Sequence, residues 1–353
     1  MKPLINFINR YFPNLNSLLT EDLFSNISEK TKDHMFLYNY NQRHLVDRDN
    51  PILRKCRGLV VREDGSVLNY PFERFFNTFE SECDILDYSS AMVQEKIDGS
   101  LISCFWNGID WEVCTRGSFY PIVDSVSANF SEEFRRLFKL FGRLNTNINY
   151  FFELVSQNNR IVTWYDEESV YLIGARLKCN LKEIDSHTLD VTANHIKVNR
   201  PKQYKFNNMK EMDTLFDLLK DDEEGFVIVD NNFKRAKMKQ ESYIQLSRIK
   251  QLKEDDILDY LLGRIEVDEE YLQKDVEIRH KKLQMYLDLY EALDRIETIF
   301  CNIEYNNRKE FALQALKYPF SASLFTMFDN RDVKEGIKTW DYVKSILDYK
   351  EII

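Results

Sequence analysis

The sequence lacks the features of a membrane-spanning or disulfide-bonded protein. No stretch approaches the roughly 18 consecutive apolar residues that a transmembrane helix needs. Residues 1–6 hold no apolar core long enough for a signal peptide. The six cysteines are scattered and none forms a C-x-x-C pair, which favours reduced thiols over a disulfide framework or a zinc site. We therefore expect a cytoplasmic protein with no membrane partner.

Histidine clusters and phosphate-binding glycine loops are also missing. The five histidines are dispersed without an H-E-x-x-H arrangement, so any metal is expected to be a hard ion with oxygen ligands. No G-x-x-x-x-G-K-[ST] loop occurs, which excludes a P-loop kinase module. The net charge of −10 argues against indiscriminate coating of nucleic acid, although it permits a local basic cleft.

The length of 353 residues suggests two domains, and their patterns differ. Before residue 245, short apolar runs separated by turn residues predict strands at 35–40, 57–61, 67–70, 150–155 and 170–177, with helices between them. Helical spacing is also predicted over residues 1–30, and residues 131–133 are predicted to cap a helix that runs to about Phe141. After residue 245, apolar residues recur at helical spacing, as in Val276, Leu283 and Leu287. We predict an α+β domain over 1–245, with largely antiparallel sheets, and an all-α domain over 246–353. The run 279–282 of the second domain is either a phosphate-binding site or a solvated helix face.

A lysine stands beside a predicted tight turn in residues 95–100, Glu95-Lys96-Ile97-Asp98-Gly99-Ser100. Apolar runs at 91–93 and 101–102 flank the segment, and Asp98-Gly99 predicts a hairpin turn between them. Lys96 would then lie at a strand end, where the backbone can approach a ligand. The alternative is an ordinary Asp-Gly hairpin with a solvated lysine.

Several charged residues interrupt apolar strands. Glu153 lies within the buried strand at 150–155, where a carboxylate is costly without a partner, so it is either functional or paired with Arg160. Because side chains alternate along a strand, Arg235, Lys237 and Lys239 share one face, and three cations there repel one another unless they face an anion.

Further charges stand at strand ends. Glu224 precedes the predicted strand at 226–229, and Arg116 follows a hairpin centred on Asn107-Gly108. Arg57 and Arg74 lie at the edges of apolar segments, and the alternative for each is surface charge.

Taken in order, these stretches resemble the covalent nucleotidyltransferase superfamily, and most closely the phage RNA ligase 1 family of tRNA-repair ligases. The resemblance covers residues 35–245, and its last motif is Lys237-Met238-Lys239. Arg74 and Arg116 stand where the family often has lysine, so point-charge contacts become forked ones there. The fold implied for 1–245 is an ATP-grasp-like nucleotidyltransferase domain, followed by a helical domain that recognises RNA or tRNA.

The resemblance implies an ATP-dependent RNA ligase with Mg²⁺ (or Mn²⁺). Lys96 attacks the α-phosphate of ATP, the AMP moves to an RNA 5′-phosphate, and an RNA 3′-hydroxyl then displaces AMP. The implied catalytic residues are Lys96, Lys237, Lys239, Glu224 and Glu153. The implied nucleotide-binding residues are Arg57, Arg74, Glu95, Lys96, Arg116, Glu153, Phe226, Lys237 and Lys239. Glu153 and Glu224 would hold the metal, directly or through water, and Phe76 or Phe226 would stack on adenine.

The nucleophile must be neutral to attack. With an ordinary lysine pKa of about 10.4, only about one amine in a thousand is neutral near pH 7.4, a deficit of about 4 kcal/mol. Desolvation, the neighbouring Lys237 and Lys239 and a bound metal would all lower the pKa. We therefore expect a lowered pKa for Lys96.

Two other functions fit parts of the pattern. A DNA ligase or an mRNA-capping enzyme uses the same lysine chemistry, but it normally carries a β-barrel after the last motif, where this chain has helical periodicity. A non-catalytic RNA-end-binding protein would not need the full set of charged residues. The expected partners are RNA ends, above all cleaved tRNA, and a separate polynucleotide kinase/phosphatase. We expect a monomer, in the host cytoplasm if the source is a phage.

Overall fold

The computed structural model describes residues 1–41, 47–120, 122–123, 128–205, 209–267 and 276–349. Contacts divide the chain into two units, Met1–Tyr243 and Ile244–Ile353. The strands, all in the first unit, are β1 (Ile27–Lys32), β2 (Met35–Tyr40), β3 (Arg57–Arg62), β4 (Val67–Asn69), β5 (Phe76–Asn77), β6 (Met92–Glu95), β7 (Ser100–Trp106), β8 (Trp111–Thr115), β9 (Ile122–Val123), β10 (Ala128–Asn129), β11 (Ile148–Val155), β12 (Ser169–Leu177), β13 (Gln203–Tyr204), β14 (Gly225–Val229) and β15 (Arg235–Lys239).

The longest of the described helices, with 27 residues, lies in the second unit. The α-helices are α1 (Lys2–Tyr11), α2 (Glu21–Ser25), α3 (Pro51–Lys55), α4 (Phe130–Leu137), α5 (Ser186–Ile196), α6 (Met209–Asp217), α7 (Glu241–Lys250), α8 (Glu254–Leu261), α9 (Val276–Asn302), α10 (Arg308–Ala315), α11 (Ser321–Phe328) and α12 (Trp340–Leu347). Short 3₁₀ helices lie at Pro13–Leu18, Phe141–Arg143, Gln157–Asn159 and Val333–Gly336. None of the helices in the described ranges is long and apolar enough to cross a membrane.

Three larger sheets build the first unit. The N-terminal sheet has the strand order β1-β2-β3-β4, the second has β12-β11-β7-β8 and the third has β13-β6-β14-β15-β5. Neighbouring strands are antiparallel except β15 and β5, which are parallel. The second sheet buries its apolar face against α4 and α5, with Phe134 and Phe152 both fully buried there. The predicted α+β class with largely antiparallel sheets is confirmed.

The Asp98-Gly99 hairpin is a wrong prediction. β6 and β7, which flank this dipeptide, belong to different sheets, and Gly99 is absent from the glycines with positive φ. A Cβ atom at Gly99 would lie 2.3 Å from the carbonyl oxygen of Leu154. The glycine therefore permits close packing against β11 where the chain passes from the third sheet to the second.

Two predicted helical segments end at other residues in the structure than the sequence predicted. The helix expected to be capped by residues 131–133 and to run to Phe141 is α4, which begins at Phe130 and ends at Leu137. Its cap is Asn129, whose side chain accepts from the backbone N–H of Ser131. Helical spacing predicted for the first 30 residues holds for α1 and α2 only, because residues from Ile27 onward pair with β2.

The described part of the second unit is helical and contains no strand. α9 buries one face, including Met285, Leu289, Ala292 and Ile296, in the core of this unit. The periodicity from about residue 245 predicted these helices. The β-barrel that would favour a DNA ligase or a capping enzyme is absent from residues 241–267 and 276–349.

Candidate active site

The predicted site residues other than Glu224, Phe76 and Phe226 line one cavity of about 790 Å³ in the first unit. We call it the Lys96 cavity. Its wall takes side chains from all three larger sheets and from the loops that join them. The charged residues on it are Lys30, Arg57, Arg74, Glu95, Lys96, Arg116, Glu153, Arg235, Lys237 and Lys239.

Lys96 follows directly after β6, and its backbone is tied to β14. Its N–H donates to the carbonyl of Gly225 at 2.9 Å. Gly225 has a φ of 130°, and a Cβ atom there would lie 2.0 Å from the carbonyl oxygen of Met238, so only glycine lets β14 start at this point. The residue before it, Glu224, is thereby held beside Lys96.

Glu224 bridges two lysines. Its Oε2 lies 2.6 Å from Lys96 Nζ, and its Oε1 lies 2.7 Å from Lys239 Nζ. The Glu224 side chain is only 5% exposed. Burial by itself would raise the pKa of this carboxyl, but the two ammonium groups outweigh burial and hold its pKa below the ordinary value.

The expectation of a lowered pKa for Lys96 is wrong in this structure. Burial does lower it, as predicted, but the carboxylates of Glu224 and Glu153 outweigh burial and raise the pKa of Lys96. The cations of β15 can be read from the sequence, whereas the ion pair between Lys96 and Glu224 depends on the tertiary structure. Lys96 is therefore an ammonium group here, and it must lose a proton before it can act as a nucleophile.

Lys237 has the lowered pKa instead. Burial, with help from the charges of Lys239 and Lys96, lowers the pKa of Lys237 to about 8. Its side chain lies beside the Phe75 ring, with Nζ 5.9 Å from the ring centroid. The cationic face predicted for β15 is thus divided: Lys239 pairs with Glu224, and Arg235 pairs with Glu183.

Glu153 lies on the cavity wall, on β11, and is not paired with Arg160. Burial raises the pKa of Glu153 to about 8, although Lys96 opposes this. Arg160 instead lies over the Trp164 ring, 4.7 Å from its centroid. A carboxyl with such a pKa is largely protonated at neutral pH, so it can donate a hydrogen bond as well as accept one.

Arg57 and Arg74 contribute donors that have no partner. The Nη1 atom of each is buried without a hydrogen bond. Arg74 lies 4.9 Å from the Tyr40 ring centroid, and the Arg116 guanidinium lies 5.6 Å from the same ring. Buried guanidinium N–H groups without partners suit a phosphate that enters the cavity. The surface-charge alternative for Arg57 and Arg74 is therefore not supported by their positions.

The two aromatic candidates for adenine stacking are not on the cavity wall. Phe226 is 2% exposed and packs between Tyr204 and Phe216 in the core behind the third sheet. Phe76 is 1% exposed. The assignment of either ring to adenine stacking is therefore corrected. The aromatic rings that do line the cavity are Tyr40, Phe72, Phe75, Tyr120 and Phe130.

Sequence reasoning missed the role of Asp98. Its Oδ2 accepts from the backbone N–H groups of Val162 and Thr163 at 2.8 and 2.9 Å, and its Oδ1 accepts from the Tyr243 hydroxyl at 2.7 Å. Asp98 is 3% exposed. The sequence shows a carboxylate two residues after Lys96, which could have indicated a structural role. The Asp-Gly pair also fitted a surface turn, so this role was not predicted.

Tyr40 was also missed. Its backbone N–H donates to the carbonyl of Cys56 at 2.7 Å, which brings the ring next to Arg57 at the start of β3. The strand pattern at 35–40 gave no sign that its last aromatic ring faces a cavity.

The described residues contain no preformed metal-binding site made of protein side chains alone. They contain no group of three or more His, Cys, Asp or Glu side chains that could hold an ion. Glu153 and Glu224 remain the predicted metal residues. Two carboxyls suit Mg²⁺, which commonly keeps several waters and binds through one or two carboxylates and substrate phosphates.

Comparisons with known proteins agree with the motifs. The chain is 31% identical over 252 residues to a putative bifunctional polynucleotide kinase/RNA ligase of Autographa californica nuclear polyhedrosis virus, covering 63% of this chain and 35% of that protein. It is 25% identical over 390 aligned residues to an RNA ligase of Rhodothermus phage RM378, covering 86% of this chain and 87% of that protein. The resemblance to the phage RNA ligases is confirmed. No protein-family model matches the chain.

A comparison with solved structures shows that the similarity extends to the fold. An archaeal ATP-dependent RNA ligase (form 2) superposes with a TM-score of 0.52 at 13% identity, over 89% of this chain and 88% of that one. At this identity the match shows a shared fold. The aligned part of the chain spans about a third of the length of the baculovirus protein.

Proposed function

We propose that this chain is an ATP-dependent RNA ligase that joins an RNA 3′-hydroxyl to an RNA 5′-phosphate through a covalent lysyl-AMP on Lys96. The observation that carries the proposal is the shared cavity. Lys96, Lys237 and Lys239 line it together with Arg57 and Arg74, each of which has a buried Nη1 donor without a partner. RNA ligase relatives at 31% and 25% identity support the same reaction.

The reaction has three transfers at phosphorus. Lys96 Nζ forms a bond to the α-phosphorus of ATP, the bond to the β-phosphate oxygen breaks, and pyrophosphate leaves. An oxygen of the RNA 5′-phosphate then attacks the AMP phosphorus and the bond to Lys96 Nζ breaks. Finally an RNA 3′-hydroxyl oxygen attacks the 5′-phosphate, AMP leaves and the strand is sealed.

The charged residues divide this work by position. Lys237 and Lys239 would stabilise the charge on the α-phosphate and on the leaving group, since phosphoryl transfer depends mainly on alignment and charge neutralisation. Arg57 and Arg74 would hold the outer phosphates, with Glu95 and Arg116 as further nucleotide contacts. Glu224 is the carboxylate nearest to the Lys96 ammonium, and it keeps Lys96 protonated until the amine releases its proton to water.

We propose Mg²⁺ as the metal, with Mn²⁺ as a substitute, near Glu153 and Glu224. Such an ion polarises phosphate oxygens and, placed near Lys96, favours the neutral amine. Glu153 and Glu224 would hold the ion directly or through its bound waters, and the ion would supply positive charge beside the phosphates.

We propose cleaved tRNA as the natural substrate and the helical unit as the part that recognises it. The resemblance of residues 35–245 to tRNA-repair ligases supports the first point. The baculovirus relative is named as a kinase and ligase in one chain, which supports a separate kinase/phosphatase partner that prepares the RNA ends here. We further propose that the chain acts as a monomer.

The test uses ATP labelled at the α-phosphate. Incubation with the divalent ion should attach labelled AMP to the protein, and Lys96→Ala should abolish the adduct, while Lys139→Ala, on an exposed lysine outside the cavity, should not. Adding 5′-phosphorylated single-stranded RNA, cleaved tRNA or nicked duplex DNA then identifies the substrate. An undiminished adduct in Lys96→Ala, or sealing of nicked DNA in preference to RNA ends, would contradict the proposal.

A further inference from the structure

A second cavity of about 820 Å³ lies in the first unit and shares part of its wall with the Lys96 cavity. Arg74, Phe75 and Arg235 belong to both walls. The other side is formed by Lys182 and by the loop between β14 and β15, which contains Phe233 and Lys234. We call it the Phe233 cavity.

The Phe233 cavity has an excess of positive charge that its own carboxylates do not neutralise. Its four acidic residues are all engaged: Asp49 and Asp84 pair with Arg54, Glu73 with Lys55, and Glu183 with Arg176 and Arg235. Among the described residues, Arg74, Lys182 and Lys234 have no carboxylate within ion-pair distance. These three cations are therefore available to an anionic ligand, in a protein whose net charge is −10.

Aromatic rings and amide side chains accompany these cations. Phe75 and Phe233 line the cavity, as do Asn231 and Asn232. Phosphate-binding cations next to exposed aromatic rings are the combination with which proteins bind single-stranded nucleic acid, because bases stack on the rings while cations follow the backbone.

The loop holds the backbone of Phe233 in a conformation that carries a cost. Phe233 has a φ of 61°, a left-handed conformation that is unusual for a bulky residue. The buried carboxylate of Asp230 holds the loop in this form, since its Oδ1 accepts from the N–H groups of Asn232 and Lys234, both at 2.9 Å. The loop thus presents Phe233 to the cavity as a preformed surface.

The chemistry of the proposed reaction decides which strand would enter here, so this inference rests on the proposed function. In the first transfer, Lys96 and pyrophosphate lie on opposite sides of the α-phosphorus. In the second transfer Lys96 is the leaving group, so the RNA 5′-phosphate attacks from the side that pyrophosphate has left. In the proposed function Arg74 holds the outer phosphates, so this side is the one near Arg74, a residue that lines both cavities.

We propose that the Phe233 cavity binds the first nucleotides of the 5′-phosphorylated RNA strand. Lys182 and Lys234 bind backbone phosphates, Phe233 stacks on a base, and Arg74 spans the wall between the entering 5′-phosphate and the rest of the strand. The RNA 3′-hydroxyl strand binds elsewhere.

The test isolates the second transfer. Full-length protein is charged with AMP, ATP is removed, and a 5′-phosphorylated single-stranded RNA with a blocked 3′ end is added. AMP transfer to RNA is followed in a single turnover over a range of RNA and salt concentrations. Lys182→Gln/Lys234→Gln is compared with the matched double variant Lys139→Gln/Lys205→Gln, which removes two exposed lysines outside both cavities.

The cavity variant should form lysyl-AMP at the wild-type rate and need roughly tenfold more RNA for half-maximal transfer. Because each lost single-strand phosphate contact removes about 0.7 from the slope of log affinity against log salt concentration, the slope should fall by about 1.4. Phe233→Leu should weaken RNA binding about fivefold or more, and Phe233→Trp should restore it, since stacking needs an aromatic face. The control variant should resemble the wild type.

One result would overturn the inference alone: Lys182→Gln/Lys234→Gln and Phe233→Leu both transfer AMP to RNA with the RNA and salt dependence of the wild type. A wild-type protein that forms no lysyl-AMP would overturn the proposed function, and the inference with it. That failure is seen before any RNA is added.

Discussion

Replacing Glu224 by glutamine should make Lys96 more reactive in the absence of nucleotide. Glu224 Oε2 lies 2.6 Å from Lys96 Nζ, and the same carboxylate holds Lys239 at 2.7 Å. Burial lowers the pKa of Lys96, but the charges of Glu224 and Glu153, with the hydrogen bond to Glu224, together outweigh burial. The glutamine removes the charge that stabilises the ammonium form, while burial and the positive charge of Lys239 remain. Both of these favour the neutral amine.

The magnitude follows from the kind of contact that is lost. A hydrogen bond between charged groups contributes about 1.5–3 kcal/mol, and Lys96 is only 23% exposed, so solvent screens the pair weakly. At a pH below the lysine pKa, about 1.4 kcal/mol less stabilisation of the ammonium form gives a tenfold larger neutral fraction. We therefore expect Lys96 in Glu224→Gln to be acylated about tenfold faster or more at pH 8.

The assay is competitive labelling with acetic anhydride in ATP-free buffer. Peptide mass spectrometry reports the acylated fraction of Lys96 relative to the exposed Lys139 over a range of pH. Glu223→Gln is the matched control, because this neighbouring carboxylate accepts from the backbone N–H of Lys220 and has no ion pair with Lys96. Equal or slower labelling of Lys96 in Glu224→Gln would refute the reasoning, since it would mean that Glu224 does not stabilise the ammonium form.

Three further predictions concern stability, each measured by urea unfolding. Burial raises the pKa of Glu153 to about 8 from 4.5, so the folded state holds a proton that the unfolded state loses, and wild-type stability should fall by up to about 1.4 kcal/mol per pH unit between these values. From pH 6 to pH 9, Glu153→Gln should gain about 1–2 kcal/mol relative to the wild type, and a constant difference would contradict this. Gly99→Ala should cost about 2 kcal/mol, because its Cβ would lie 2.3 Å from the Leu154 carbonyl oxygen. Asp98→Ala should cost about 3 kcal/mol by leaving two backbone donors without an acceptor, and Tyr243→Phe should add almost nothing in that background, where an additive cost would be unexpected.

Short-range patterns predicted the strands better than the turns between them. The Asn107-Gly108 hairpin is confirmed, with Trp106 and Trp111 paired at its end, because two adjacent strands and their turn are all visible locally. The Asp98-Gly99 dipeptide carried the same local signal. Here the two flanking strands do not pair with each other, since β6 pairs with β14 whereas β7 pairs with β8 and β11. Only the tertiary pairing separates the two cases.

The residues of the site were easier to predict than their electrostatics. The residue types and their order brought Lys96, Glu153 and Lys237 to attention, and all three line one cavity. The pKa directions depended on distances that the sequence does not contain. Glu224 lies within hydrogen-bond distance of Lys96 and Lys239 but forms no ion pair with Lys237, which explains why Lys96 and Lys237 shift in opposite directions.

Each residue of the Lys96-Ile97-Asp98-Gly99 segment has a separate physical task at the junction of two sheets. Ile97 is 4% exposed and anchors the segment in the interior. Asp98 binds residues 162–163 and the Tyr243 hydroxyl, and Gly99 allows contact with Leu154. Lys96 is thereby held by its neighbours on both sides while its own side chain reaches into the cavity. The segment connects the third sheet to the second. The position of the Lys96 amine therefore depends on the buried carboxylate of Asp98 and on the absence of a Cβ atom at Gly99 more than on a turn.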